Sequence, residues 1–284
     1  MFTLITQVLL NGVVSGLIAA LTAAGFSLIY GNANILFFAI GDIYMLGAIF
    51  FYFFVANLGF PYFGALIAVL VILGLVGVAV EWGLYRHLRG NELTFAFASL
   101  ALGMLIAGVA LEYFGEQGRG LPTPFPGALR YFGVTVTLDK IVVVMVAMVI
   151  LMGFHFFFRF TKTGWAIRAV AQDLEVAKLM GVDTNRLKSL IFFLAFAVAG
   201  MAGALVAPLY YVDVFMGAQV LMTTLTVVVL GGLGSFPGAI MGGILIGLLE
   251  SFGYTFLGGI TTVITFISVI GLLIFRPQGL LGSK

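Results

Sequence analysis

From its first residue to Tyr85 the chain carries no Lys or Arg, and Asp42 and Glu81 are its only acids there. Such a stretch cannot make a water-exposed surface, because an average soluble domain has roughly 25% charged residues. The remainder follows the same trend: 62% of the 284 residues are hydrophobic and 8% are charged. At about 20 apolar residues per crossing, that supply suffices for about eight or nine membrane spans. A β-barrel needs segments of about ten residues that alternate polar and apolar, and the apolar runs here are longer and do not alternate. The expected fold is all-α, a polytopic helical membrane protein forming one transmembrane domain over residues 1–284.

Composition narrows the chemistry further. A net charge of +2 is too small for a nucleic-acid binder, and the absence of cysteine removes disulfides, thiolate metal sites and a thiol nucleophile. The 38 glycines suit helices whose backbones approach closely in lipid. Because the first basic residue is Arg86, the N-terminal run lacks a signal-peptide n-region and is expected to stay as a span.

Apolar runs bounded by charges, Pro or Gly clusters place spans at 5–29, 36–56, 62–85, 94–114, 141–158, 189–210, 219–232, 237–257 and 260–275. The seventh is short and ends in Gly, so it is read as either a crossing or a broken, re-entrant piece. Basic residues sort by loop: Arg86 and Arg89, then Arg159, Lys162, Arg168, Lys178, Arg186 and Lys188, then Arg276 and Lys284 fall on one side. Arg119, Arg130 and Lys140 fall on the other. By the positive-inside rule the first side, with the C-terminus, is cytoplasmic. Residues 115–140 hold five glycines and three prolines, which predicts an external loop with a short strand pair.

The segment 159–188 contains nine of the chain's 24 charges and must face water. Its pattern predicts one short amphipathic helix from Gly164 to Gly181, with Trp165, Ala169, Val170, Leu174, Ala177 and Met180 mainly on one face. Gly181 suits a C-cap, and Asp183 or Thr184 suits the N-cap of the next helix. Small residues at Ala169 and Ala177 offer a surface for another protein, while an interfacial helix lying on the membrane fits equally well.

Ionisable groups inside the spans are few. Asp42 is expected either to cap a broken second helix after non-helical backbone at 31–40 or to contact a solute. Glu250 is read as a packing hydrogen bond or a cavity-lining group, Glu81 as a snorkelling side chain, and Asn11 as a hydrogen bond across helices. Gly12 and Gly16 on the first span, and Gly234, Gly238 and Gly242 with the offset pair Gly243 and Gly247 on the eighth, predict flat packing stripes. The turn GGLGSFPG at 231–238 lacks the Gly-Lys-Ser/Thr of a phosphate loop. His87 and His155 have no partners at metal-ligand spacing, and no Ser or Thr has a base in motif spacing.

GWAIRAVAQDLEVAKLMGVDTNRLKSLIFFLAFAVAGMAGAL at 164–205 closely resembles the coupling loop and following helix of LivH-type permeases, the branched-chain amino acid subunits of bacterial ABC importers. The similarity extends through LLNGVVSGLIAALTAAGFSLIYG at 9–31, GDIYMLGA at 41–48 and VLGGLGSFPGAIMGGILIGLLE at 229–250, in the same order. Where such permeases usually carry Asn-Phe-Ala-His-Gly before the Asp, this chain has Phe37, Phe38, Ala39, Ile40 and Gly41. A more apolar path of this kind suits a hydrophobic amino acid or a related acid.

The resemblance implies a multi-pass permease of the bacterial inner membrane that moves branched-chain or related hydrophobic amino acids inward. It implies a second homologous permease, two ATP-binding-cassette ATPases that hold ATP and Mg, a periplasmic solute-binding protein and membrane lipid as partners. No cofactor is expected in this chain itself. Matching the family's loop assigns coupling to Gly164, Arg168, Ala169, Asp173, Ala177 and Gly181 within 159–188. Asn11, Gly41, Asp42 and Glu250 are the candidates for the translocation pathway. A stand-alone ion-coupled carrier or channel is the alternative, and such carriers commonly hold more intramembrane ionisable residues than Asp42 and Glu250. A membrane enzyme lacks any paired carboxylate or metal constellation here.

Overall fold

The computed structural model describes residues 2–281 apart from Arg89, Phe132, Gly133 and Pro277. Each of the nine apolar runs forms a helix: α1 (Phe2–Ala33), α2 (Ile40–Tyr52), α3 (Tyr62–Val80), α4 (Glu92–Phe114), α5 (Leu138–Phe160), α8 (Thr184–Val206), α9 (Met216–Gly231), α10 (Phe236–Phe256) and α11 (Thr261–Phe275). Between α5 and α8 lie two short helices, α6 (Lys162–Gln172) and α7 (Leu174–Leu179). Single π-helical turns, Phe53–Asn57 and Glu81–Tyr85, extend α2 and α3. Seven of the helices, counted with these extensions, are long and apolar enough to cross a membrane, whereas α9 and α11 are shorter.

A 16-residue α9 covers about 24 Å, less than the roughly 30 Å hydrocarbon core. In the connection before it Val212 and Val214 are buried, while Tyr210, Tyr211 and Phe215 are exposed. The seventh run is thus a helix, shorter than the seven that are long enough to cross.

Close approaches fix the helix directions. Gly12 meets Leu248, Gly16 meets Ile244 and Gly31 meets Gly234, so α1 and α10 run antiparallel. Gly74 packs on Phe193 and Gly77 on Phe192, making α3 antiparallel to α8, while Gly231 and Gly242 pack α9 against α10 as a hairpin. Ser99 meets Phe38 and Phe114 meets Tyr52, so α2 and α4 run parallel. Directions alternate through all nine helices. One end of the bundle therefore collects Arg86, Arg159, Lys162, Arg168, Lys178, Arg186, Lys188 and Arg276, while Arg89 and Lys284 lie outside the described residues. Arg119 and Lys140 lie at the opposite end.

That opposite end carries the predicted strand pair, β1 (Ala128–Tyr131) with β2 (Val134–Thr137), antiparallel. The loop between α4 and β1 is tied to the connection before α9 by paired backbone bonds of 2.9 Å between Arg119 and Val212. At the basic end the C-terminal tail closes α9: Leu280 and Leu281 N–H donate to the carbonyls of Leu230 and Gly231, both at 2.9 Å. Those carbonyls would otherwise be orphaned at the helix end.

Glycine explains why α1 and α10 pack so closely. A Cβ on Gly243 would stand 2.6 Å from the Ala20 nitrogen, and one on Gly16 2.9 Å from Ile244 Cα. A Cβ on Gly247 would overlap the Gly16 backbone. In lipid, where no hydrophobic drive joins helices, such backbone contact supplies the dispersion energy that holds them. Gly47, Gly200 and Gly203 allow the same proximity where α2 crosses α8. Gly243→Val is expected to destabilise the fold by about 1–3 kcal/mol through overpacking, read as a lower unfolding midpoint in detergent. Gly153→Ala on α5, where an added Cβ meets nothing within 4 Å, should leave the midpoint unchanged.

Candidate coupling surface and solute path

The chain leaves α5 at Phe160 and turns sharply at the basic end. Thr161 is extended, and its Oγ1 accepts from the Gly164 N–H at 2.9 Å, capping α6. Gly164 has to be glycine, because a Cβ there would overlap the Phe157 carbonyl and stand 2.7 Å from Phe158 Cα. Trp165 Nε1 donates to the Arg159 carbonyl at 2.7 Å, pinning the same corner.

The single helix expected over 164–181 is two helices. Asp173 breaks it by adopting extended backbone, φ −155° and ψ 112°, and its Oδ1 accepts from the Glu175 and Val176 N–H groups at 2.8 and 3.0 Å. A short acidic side chain competes for backbone donors in this way and so starts α7 instead of continuing α6. The burial pattern is corrected too. Gly164, Ile167, Val170 and Ala177 face inward, whereas Trp165, Ala169 and Met180 are exposed. Ala177, expected on a docking surface, is 4% exposed and packs against its own chain. Gly181, at φ +82°, ends α7 in the left-handed conformation that glycine tolerates. Asp183 caps α8, its Oδ1 accepting from Asn185 and Arg186 N–H at 3.1 and 3.2 Å.

From α8 the contact passes directly into the spans. Glu81, read from sequence as a snorkelling residue, is 2% exposed and accepts a 2.7 Å hydrogen bond from Ser189 Oγ. Beside it the Lys188 ammonium lies over the Tyr85 ring at 5.2 Å and donates to its hydroxyl at 3.3 Å. The start of α8 is thereby fastened to the π-turn that ends α3. Buried polar groups need such partners, since lipid offers none.

Asp42 lies in the first turn of α2, not at its cap; Ala39 occupies that position, with no side-chain bond. The non-helical backbone is shorter than expected, 34–39. It is satisfied in part by Ser99 Oγ, which accepts from the Phe38 N–H at 3.0 Å. Phe37 anchors the loop, fully buried against Phe95, Phe192 and Phe196. The half-buried Asp42 carboxylate sits against Gly103 of α4 and Gly217 of α9, and a Cβ on either would press on its oxygens. Gly103 is about 16 Å into α4 from the basic end, so this carboxylate lies deep in the bundle, where the positive end of a helix favours it. Gly41 belongs to the same junction, against the Gly217 carbonyl.

The other two pathway candidates lie elsewhere. Asn11 accepts a 2.7 Å bond from the Lys140 ammonium between α1 and α5, the cross-helix bond expected of it. Glu250 lines a groove of about 670 Å³ among α9, α10 and α11, together with Gln219, Thr223, Thr226, Tyr254 and Thr265. Sequence reasoning missed these neutral partners. Gln219, Thr223 and Thr226 recur at helical spacing, and that polar stripe on an apolar helix was the available signal. No group of His, Asp and Glu among the described residues could hold a metal ion.

Comparison with known proteins gives this geometry its context. The family model for the branched-chain amino acid transport system permease component matches residues 8–275. The chain is 31% identical to the high-affinity branched-chain amino acid transport system permease protein LivH of Escherichia coli, over 99% of this chain and 96% of that protein. It is 29% identical to the corresponding protein BraD of Pseudomonas aeruginosa, over 97% and 95%. Among solved structures, PsaBC from Streptococcus pneumoniae in complex with Fab shares the fold, with a TM-score of 0.51, 18% identity, and coverage of 96% of this chain and 92% of that one. A match of this extent separates the chain from stand-alone carriers and from enzymes: it belongs to the family of branched-chain amino acid transport system permease components.

Proposed function

We propose that this chain is one permease half of an ATP-binding-cassette importer of the bacterial inner membrane, carrying branched-chain or related hydrophobic amino acids into the cytoplasm. The observation that carries the reading is the family match together with two short capped helices, α6 and α7, projecting at the basic end. The positive-inside rule makes that end cytoplasmic, and the C-terminal tail bonded to α9 lies there too. ATP and Mg are held by two ATPases that dock on the exposed Arg168, Ala169, Asp173 and Gly181, while Gly164 and Ala177 seat the same helices against this chain. A periplasmic binding protein delivers the solute to the end bearing the strand pair.

A second homologous permease covers the groove around Glu250. An acidic side chain facing lipid is costly, about 2.5–3.5 kcal/mol at the span centre, so this face suits water or protein. Closure of the ATPases moves α6 and α7, and the Glu81–Ser189 bond and the Lys188–Tyr85 contact pass that motion to α3 and α8. The bundle-centre junction of Gly41, Asp42, Gly103 and Gly217 stands as the gate-side part of the path, and the groove as its outer part.

The test is uptake of labelled leucine by proteoliposomes holding the co-expressed complex. Uptake should require both internal ATP and external binding protein; uptake by this chain alone on an ion gradient would overturn the reading. Ala169→Glu, at an exposed position, is expected to block ATPase docking and abolish uptake without unfolding the chain, as checked by co-purification. Asp173→Ala removes two capping bonds, about 0.5–2 kcal/mol of local helix stability, and should lower the uptake obtained per ATP hydrolysed. Glu250→Leu should cut uptake roughly ten-fold, the order of one charged hydrogen bond, while assembly with the ATPases is retained.

A further inference from the structure

A second polar cleft, of about 470 Å³, opens at the basic end where α6 meets α1, α5 and the start of α10. Its polar lining is Ser27 and Asn32 from α1, His155 and Arg159 from α5, Arg168 from α6 and Ser235, the cap of α10. Among the described residues no acidic side chain lines it. Arg159 and Arg168 thus line one space from separate helices, the Arg159 guanidinium also standing over the Phe160 ring at 5.7 Å, and the α10 N-terminus adds positive potential there.

Two buried atoms in this cleft lack partners. Ser27, only 2% exposed, has an Oγ with no hydrogen bond, and Asn32 Oδ1 is unpaired although its Nδ2 donates to the Leu28 carbonyl at 3.0 Å. Such orphaned groups call for a ligand or water. Ser27 offers a hydroxyl donor and Asn32 an acceptor, so a group that carries both an anion and a hydroxyl satisfies the pair. The apolar lining from Leu28, Phe158, Ile167 and Phe236 suits hydrocarbon beside that group.

We infer that this cleft binds the phosphodiester headgroup of an anionic lipid bearing a free hydroxyl, of the phosphatidylglycerol type. The phosphate lies between the guanidinium groups of Arg159 and Arg168, and the headgroup hydroxyl donates to Asn32. Basic pockets between helices at the membrane surface recognise lipid headgroups through this chemistry. A bound lipid then bridges α5 to α6.

The test is native mass spectrometry of the full complex extracted from nanodiscs of mixed phosphatidylglycerol and phosphatidylcholine. Wild-type complex should retain phosphatidylglycerol in preference to phosphatidylcholine, and Arg159→Gln should reduce that retention roughly five-fold. Arg159→Lys should restore most of it, and Ser27→Val should weaken it with both arginines intact. Equal retention by wild type and Arg159→Gln overturns the proposal. So does displacement of all bound lipid by millimolar inorganic phosphate with phosphate retained in its place, which would make free phosphate the occupant.

Discussion

In hydrocarbon, helices gain nothing by hiding apolar surface from one another, so what holds this bundle is backbone brought against backbone. The seam between α1 and α10 shows it most directly: Gly12 and Gly16 face Gly243 and Gly247, and no side chain separates the two helices. The α2–α8 crossing at Gly47, Gly200 and Gly203 repeats the device. These two seams fix α1, α2, α8 and α10 as a rigid centre. Around them α4 and α5, mostly exposed in the isolated chain, form the periphery.

Three departures from regular helix draw local compensation, as a lipid environment favours. The loop at 34–39 draws a bond from Ser99 and a phenylalanine cluster around Phe37. The end of α9 takes its missing partners from the tail, and the connection before α9 borrows them from Arg119. These compensated breaks lie beside the places where function is argued. The first sits next to Asp42, and the last leads into α9, which carries Gln219 and Thr223 to the groove at Glu250.

The basic end combines a stiff connection with an exposed one. Thr161, Asp173 and Asp183 cap three successive helices with their own side chains, so α6, α7 and α8 are each defined by local chemistry. Glu81 and Lys188 then anchor α8 among the spans. A partner pressing on the exposed face of α6 thus acts on elements that cannot yield independently. The adjoining cleft lined by Arg159 and Arg168 lies between the same helix and α1, α5 and the start of α10.

The apolar helices, the sorting of charge to one end, the strand pair and the caps at Gly181 and Asp183 were legible in the sequence because each depends on local composition or on a residue's own backbone preference; which of the helices are long enough to cross was not, since seven are and α9 and α11 are shorter. The break at Asp173 was not, since the helical pattern runs through it and only the capping geometry ends the helix there. Burial was likewise undetermined: Ala177 and Ala169 look alike in sequence, yet one packs inward and the other faces out. Glu81 reads as a snorkelling residue until Ser189, 108 positions away, is brought beside it. By itself the sequence determined that this chain is a helical membrane protein with a charged connection at one end. Which glycines touch, which carboxylates are enclosed and which polar side chains share a cavity were decided by tertiary structure, because those contacts join residues that no local pattern relates.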